Sequence, residues 1–148
     1  MKAAQARWAS WRAGESPESG YVAVMTGLLL LVLMGISAFA VDVGYWYLVG
    51  QQEQRAADAA ALAGVTSLPG NAVGAFTIAQ NFSKINGFAD GVRATTVIAG
   101  LAGRPTRLRV TVTRTVDNSF GPLLGRPTTT VSRTSVATYE GPVTWVTP

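Results

Sequence analysis

A chain of 148 residues and 15.5 kDa has room for one modest domain once an apolar segment is set aside. Twelve basic residues against eight acidic give a net charge of +4. Only 14% of residues are charged against 48% hydrophobic, which disfavours the disordered and nucleic-acid-binding classes. Cysteine and histidine are both absent, which excludes disulfide staples and thiolate chemistry and removes the commonest general base and metal ligand.

The first twenty residues carry Lys2, Arg7 and Arg12 with Trp8 and Trp11, followed by the breaker-rich GESPESG. The run YVAVMTGLLLLVLMGISAFAV at residues 21–41 then contains no charge, and the uncharged stretch between Glu18 and Asp42 is 23 residues long. At helical rise it covers about 34 Å, enough for a hydrocarbon core of roughly 30 Å. The membrane-spanning residues are therefore expected to include Tyr21, Leu28, Leu29, Leu30, Leu31, Val32, Leu33, Ile36, Phe39 and Val41, with membrane lipid as their partner. Basic residues before the run and Asp42 directly after it predict a cytoplasmic N-terminus and an exported C-terminal part.

Three fates of the leader are open: retention, cleavage after Gly20, and cleavage after Ala40 at the small-residue pattern Ala38-Phe39-Ala40. The last would release a soluble binding module. The apolar run exceeds the 7 to 15 residues of an ordinary signal peptide, which favours its retention.

Helical character continues through DVGYWYLVGQQEQRAADAAALAG, which has no proline and ends in a glycine suited to a left-handed cap. The whole helix is predicted over residues 21–64, roughly 66 Å long. Asp42, Tyr45, Trp46 and Tyr47 fall where it would leave the hydrocarbon, as an interfacial belt, with Asp42 expected to be solvated among the headgroups or paired across a contact between copies. Ala56, Ala57, Ala60, Ala61 and Gly64 recur at helical spacing and form a small-residue packing face, for the chain's own domain or for a neighbouring copy.

After the turn SLPGNAVG, residues 72–85 place Val73, Phe76, Ile78, Ala79, Phe82 and Ile85 at intervals suited to an amphipathic second helix ended by Asn86-Gly87. The period then becomes two. Val92, Thr95, Val97 and Ile98 predict a first strand, and Leu108, Val110 and Val112 alternate with Arg107, Arg109, Thr111 and Thr113 in a second. DNSFGPLLG breaks the pattern, with Phe120, Leu123 and Leu124 expected to tuck under the sheet. TTTVSRTSVATY is β-branched and alternating and predicts a third strand, with Val131, Thr134 or Val136, and Thr138 in play. Trp145 in the tail is unassigned. The fold class is α+β: a long N-terminal helix, a second helix and an antiparallel sheet of three or more strands, partitioned as a leader at 1–20, a long helix at 21–64 and an extracytoplasmic domain at 65–148.

No constellation for catalysis is visible. Asp42 and Asp58 lie about 24 Å apart on one helix and cannot act on one bond. Asp117-Asn118-Ser119 lacks the further oxygens of a calcium loop, and Gly121 to Gly125 lacks the Lys-Ser/Thr end of a phosphate loop. No enzyme activity, metal, cofactor, small-molecule substrate or nucleic-acid partner is expected. The dispersed arginines, from Arg93 to Arg133, read as solvated surface.

The stretch SGYVAVMTGLLLLVLMGISAFAVDVGYWYLVGQQEQRAADAAALAG, with its glycine ahead of an apolar helix, AVDVG and the closing AADAAALAG, resembles the N-terminal segment of the TadE/TadG-like proteins of tight-adherence (Flp) pilus assembly. RLRVTVTRTV, FGPLLG and TTTVSRTSVATYE resemble the small extracytoplasmic domain that follows in many of them. The resemblance implies a pilin-like, single-pass protein of the bacterial inner membrane, a minor pilin, pseudopilin or assembly accessory whose partners are other pilus subunits met through helix packing. Two departures stand out. Met25 occupies the fifth position after Gly20, where pilins usually carry glutamate, and there is neither length nor motif for the von Willebrand-type domain of longer relatives.

Overall fold

The computed structural model describes residues 17–93 and 95–141. Lys2, Arg7, Arg12, Trp8 and Trp11 of the leader and Trp145 of the tail lie outside the described residues. The elements are α1 (Pro17–Val65), α2 (Ala72–Ile85), β1 (Thr95–Leu101), β2 (Arg107–Asp117), a 3-10 turn (Gly121–Leu124) and β3 (Thr128–Thr138). The three strands form one antiparallel sheet in the order β1-β2-β3, so the layout is the α+β arrangement that the change of period from helical to alternating predicts.

Two compact units make up the chain, Met1–Ala40 and Val41–Pro148. In the first, every large apolar side chain from Tyr21 to Phe39 is exposed. Gly20–Val65 is the one helix among the described residues that is long and apolar enough to cross a membrane. Side chains so uniformly apolar and so bare within their own unit match a hydrocarbon surrounding, since a helix apolar all round is stable only when covered on every side.

In the second unit, the remaining part of α1 packs with α2 against one face of the sheet. The core joins Ala56, Ala57, Ala60 and Ala61 of α1, Ala75 and Ala79 of α2, Phe88, Val97, and Leu108, Val110 and Val112 of the central strand. A smaller cluster of Val49, Val116 and Val131, with Trp46 against it, extends this core towards the other end of β2. Residue numbers rise along α1 as they fall along β2, so helix and central strand run antiparallel.

Strand register follows the alternation of β2. Leu108, Val110, Val112 and Val116 point inward, while Thr111, Thr113 and Thr115 point outward and pair by hydroxyl contacts with Thr134 (2.9 Å), Ser132 (2.8 Å) and Thr130 (3.1 Å). Such cross-strand hydroxyl pairs support the wet face of a half-buried sheet. β1 begins at Thr95, and Val92 lies in the preceding turn.

In β3 the inward set is Val131, Arg133, Ser135 and Ala137, opposite Arg114, Val112, Val110 and Leu108, while Thr134, Val136 and Thr138 are exposed. Pairing to β2 fixes the parity of β3, and a weakly apolar strand follows its stronger neighbour.

Helix α2 departs from its expected face. It buries Ala75, Ala79 and Ser83, spaced by four, and leaves Val73, Phe82 and Ile85 exposed. Small side chains let its axis approach the sheet and α1 closely, and the buried Ser83 hydroxyl donates to the carbonyl of Phe88 at 2.8 Å. Asn71 caps α2 by accepting from the Gly74 N–H at 2.8 Å, and Gly87, with φ +90°, carries the chain out of it.

Gly64 is no left-handed cap. It lies in the last turn of α1, where a Cβ would stand 2.5 Å from Leu108 Cδ2 and 2.6 Å from the Ala75 carbonyl oxygen. It is glycine because three elements meet there.

Candidate functional site

One stripe of α1 carries nearly all its contacts with the rest of its unit. Its members are Asp42, Trp46, Val49, Glu53, Ala56, Ala60 and Gly64, at steps of three and four, widened by Ala57 and Ala61 next to it, the spacing of a single helix face. Of the small-residue face read from the sequence, Ala56, Ala57, Ala60 and Ala61 have no exposed surface and Gly64 is buried; all five are covered by the chain's own sheet and α2.

At the start of this stripe the Asp42 carboxylate, only 5% exposed, holds the loop between β2 and β3. Its Oδ1 accepts from the Ser119 N–H at 2.8 Å, and its Oδ2 from the Phe120 and Gly121 N–H groups at 3.1 and 2.9 Å. Three successive amides converging on a carboxylate satisfy donors at the start of the 3-10 turn that would otherwise face only water. One turn further along α1, Trp46 Nε1 donates to Asn118 Oδ1 at 2.7 Å, and the Asn118 amide donates in turn to the Arg126 carbonyl at 2.8 Å. Asp117-Asn118-Ser119 therefore serves as a brace for the loop, with its amide groups and the Asn118 side chain already committed.

The loop itself is well braced. Pro122 sits in the first turn of the 3-10 segment, Gly125 closes it with φ +73°, and the Arg126 N–H returns to the Gly121 carbonyl at 2.9 Å. Its apolar side chains do not tuck under the sheet. Phe120, Leu123 and Leu124 are 41%, 83% and 77% exposed, and the small cluster at this end of the sheet is made by Val49, Val116 and Val131 instead. Tyr45 and Tyr47 are exposed on α1 in the same unit.

Glu53 escaped the sequence reading. It is fully buried, and neither carboxylate oxygen has a hydrogen-bond partner among the described residues. Burial pushes its pKa from 4.5 up to about 7, against the pull of Arg133 and Arg114 on the inward sheet face. The only clue was its place in the stripe, four residues after Val49 and three before Ala56, yet QQEQR looks like a solvated helix surface.

A carboxyl whose folded-state pKa lies above its unfolded value favours folding while protonated. Its full contribution is therefore present below about pH 4.5 and is lost as pH rises through about 7. Glu53→Met is expected to remove that decline and to raise stability at pH 8 by about 2 kcal/mol, the full conversion being reduced by screening from the two guanidinium groups and solvent. Denaturant titration of the detergent-solubilised full chain at pH 5 and pH 8 measures it, and an unchanged difference between the two pH values would contradict the assignment.

Among the described residues no group of three or more acidic, histidine or cysteine side chains could hold a metal ion. Gly20 and Ala40, the two processing candidates, both lie within α1, and a boundary between compact units falls directly after Ala40. No curated protein matches the chain. No solved structure matches it either. Residues 20–67, from the glycine ahead of the apolar run to just past the small-residue face, match the model of the Tad family, Flp pilus-assembly TadE/G-like.

Proposed function

We propose that this protein is a membrane-anchored structural component of a bacterial Flp-type pilus assembly system. The match over residues 20–67 carries this reading. The apolar residues 21–41 span the inner membrane with the N-terminus in the cytoplasm, and residues 42–148 form an extracytoplasmic head. The work is mechanical: helix and head surfaces meet other assembly or pilin-like subunits, and no substrate is turned over. The extent of exposed apolar surface on α1 supports the anchor, and the braced sheet supports a rigid head.

Leu30→Arg places a charge mid-span, where insertion scales set the penalty at roughly 2.5 to 3.5 kcal/mol. Membrane yield of the full-length variant is expected to fall on the order of tenfold or more, and pili counted by electron microscopy in a complemented deletion strain to fall with it. Normal yield counts against the anchor, and normal piliation in the deletion strain counts against the assembly role. The second reading, a head released by cleavage after Ala40, draws on the boundary between units at that peptide bond. N-terminal sequencing separates the two: a mature chain starting at Val41 establishes release, and one starting at Met1 or Tyr21 retains the anchor.

A further inference from the structure

We infer that the loop at residues 120–124 is a second lipid contact of the head, seating Phe120, Leu123 and Leu124 in the headgroup and upper acyl region of the bilayer. The inference rests on the reading above that residues 21–41 span the membrane. The occupant follows from where the loop is fastened. The backbone amides of Phe120 and Gly121, and that of Ser119 just before them, are bound to Asp42, and Asp42 is the first charged residue after the 23-residue apolar run. A carboxylate in that position belongs where the chain leaves hydrocarbon, so whatever is clamped to it is held at the same depth.

The apolar display is built rather than slack. Pro122, the left-handed Gly125 and the Arg126-to-Gly121 bond hold the turn, and the Asn118 side chain ties its start to its end through the Arg126 carbonyl and to α1 through Trp46. Leu123 and Leu124, at 83% and 77% exposed, are among the barest large apolar side chains described in the head. Exposed Arg126 beside them suits lipid phosphate. Rigid apolar tips next to a basic residue, at the level of an aromatic belt, are the chemistry of an interfacial membrane contact.

The absence of cysteine allows a direct test with single-cysteine full-length variants carrying a bimane label, reconstituted in vesicles of phosphatidylethanolamine and phosphatidylglycerol. Labels at Leu123→Cys, Leu30→Cys and Thr113→Cys are challenged with lipids spin-labelled near the headgroup or deep in the chain, and with aqueous iodide. Leu123 is expected to be quenched several-fold more by the shallow lipid quencher than Thr113 on the wet sheet face, and less by iodide. Leu30 is expected to respond to the deep quencher. Leu30 quenched with Leu123 open to iodide overturns the loop contact and leaves the anchor standing. Leu30 unquenched overturns the anchor and the loop contact with it. A Leu123 label shielded from both quenchers only at high protein density identifies a second copy as the occupant and also overturns the proposal.

Discussion

Asp42→Ala is expected to lower the stability of the head by about 3 kcal/mol, equivalent to a fall in midpoint temperature on the order of 10 to 20 °C for a domain of this size. The carboxylate accepts three backbone N–H groups at 2.8 to 3.1 Å, and hydrogen bonds to a charged acceptor are worth more than neutral ones. Three full contributions would exceed the estimate, but the freed amides of a surface loop recover part of the loss from water. Asp42→Asn should fall between wild type and alanine. Its single carbonyl can replace Oδ2 and keep two bonds, while its amide then faces the Ser119 N–H, donor against donor. Hydrogen exchange of the full chain in micelles checks the location: amides at 119–121 should lose protection while those of β2 keep theirs. Equal protection in wild type and Asp42→Ala would show that the loop holds its shape without the clamp.

The same residue marks the limit of what the sequence made legible. Periodicity alone yields the long helix, the second helix, and three strands in meander order, because Leu108, Val110 and Val112 alternate cleanly with polar neighbours. It yields only the later part of the face on which α1 meets the head, the small residues from Ala56 to Gly64, and misses the part from Asp42 to Glu53. That stripe runs Asp42, Trp46, Val49, Glu53, Ala56, Ala60, Gly64, and two of its members are acids. A pattern search that counts carboxylates as surface therefore breaks the stripe in its middle. The loop inverts the pattern in the complementary way: Phe120, Leu123 and Leu124 look like core residues, yet the turn that carries them, fastened to Asp42 at its start, leaves all three exposed. An acid that caps backbone amides, and apolar residues that a cap displays, invert the usual correspondence between hydropathy and burial. Both inversions involve Asp42, the first charged residue after the apolar run.

Two glycines on α1 supply the strongest contrast between local propensity and packing. Glycine to alanine inside a helix gains up to about 1 kcal/mol in propensity. At Gly44 a Cβ would have nothing within 4 Å, so Gly44→Ala is expected to show most of that gain. At Gly64 the same methyl would lie 2.5 Å from Leu108 Cδ2, 2.6 Å from the Ala75 carbonyl oxygen and 3.1 Å from Ala79 Cβ. Leu108 is fully buried and cannot swing aside, and Ala75 is fixed in the first turns of α2, so relief requires α1 to move away from the sheet and from α2 together. Overpacking of this kind costs about 1 to 3 kcal/mol and outweighs a propensity gain already reduced near a helix end. Gly64→Ala should therefore destabilise by about 2 kcal/mol and Gly64→Val by about 4, opposite in sign to Gly44→Ala on the same helix. Denaturant unfolding of the three full-length variants in one detergent decides it. A stabilised Gly64→Ala would mean that α1 does not sit against Leu108 and α2 at this distance, and the head would lose the close helix contact on which its rigidity depends.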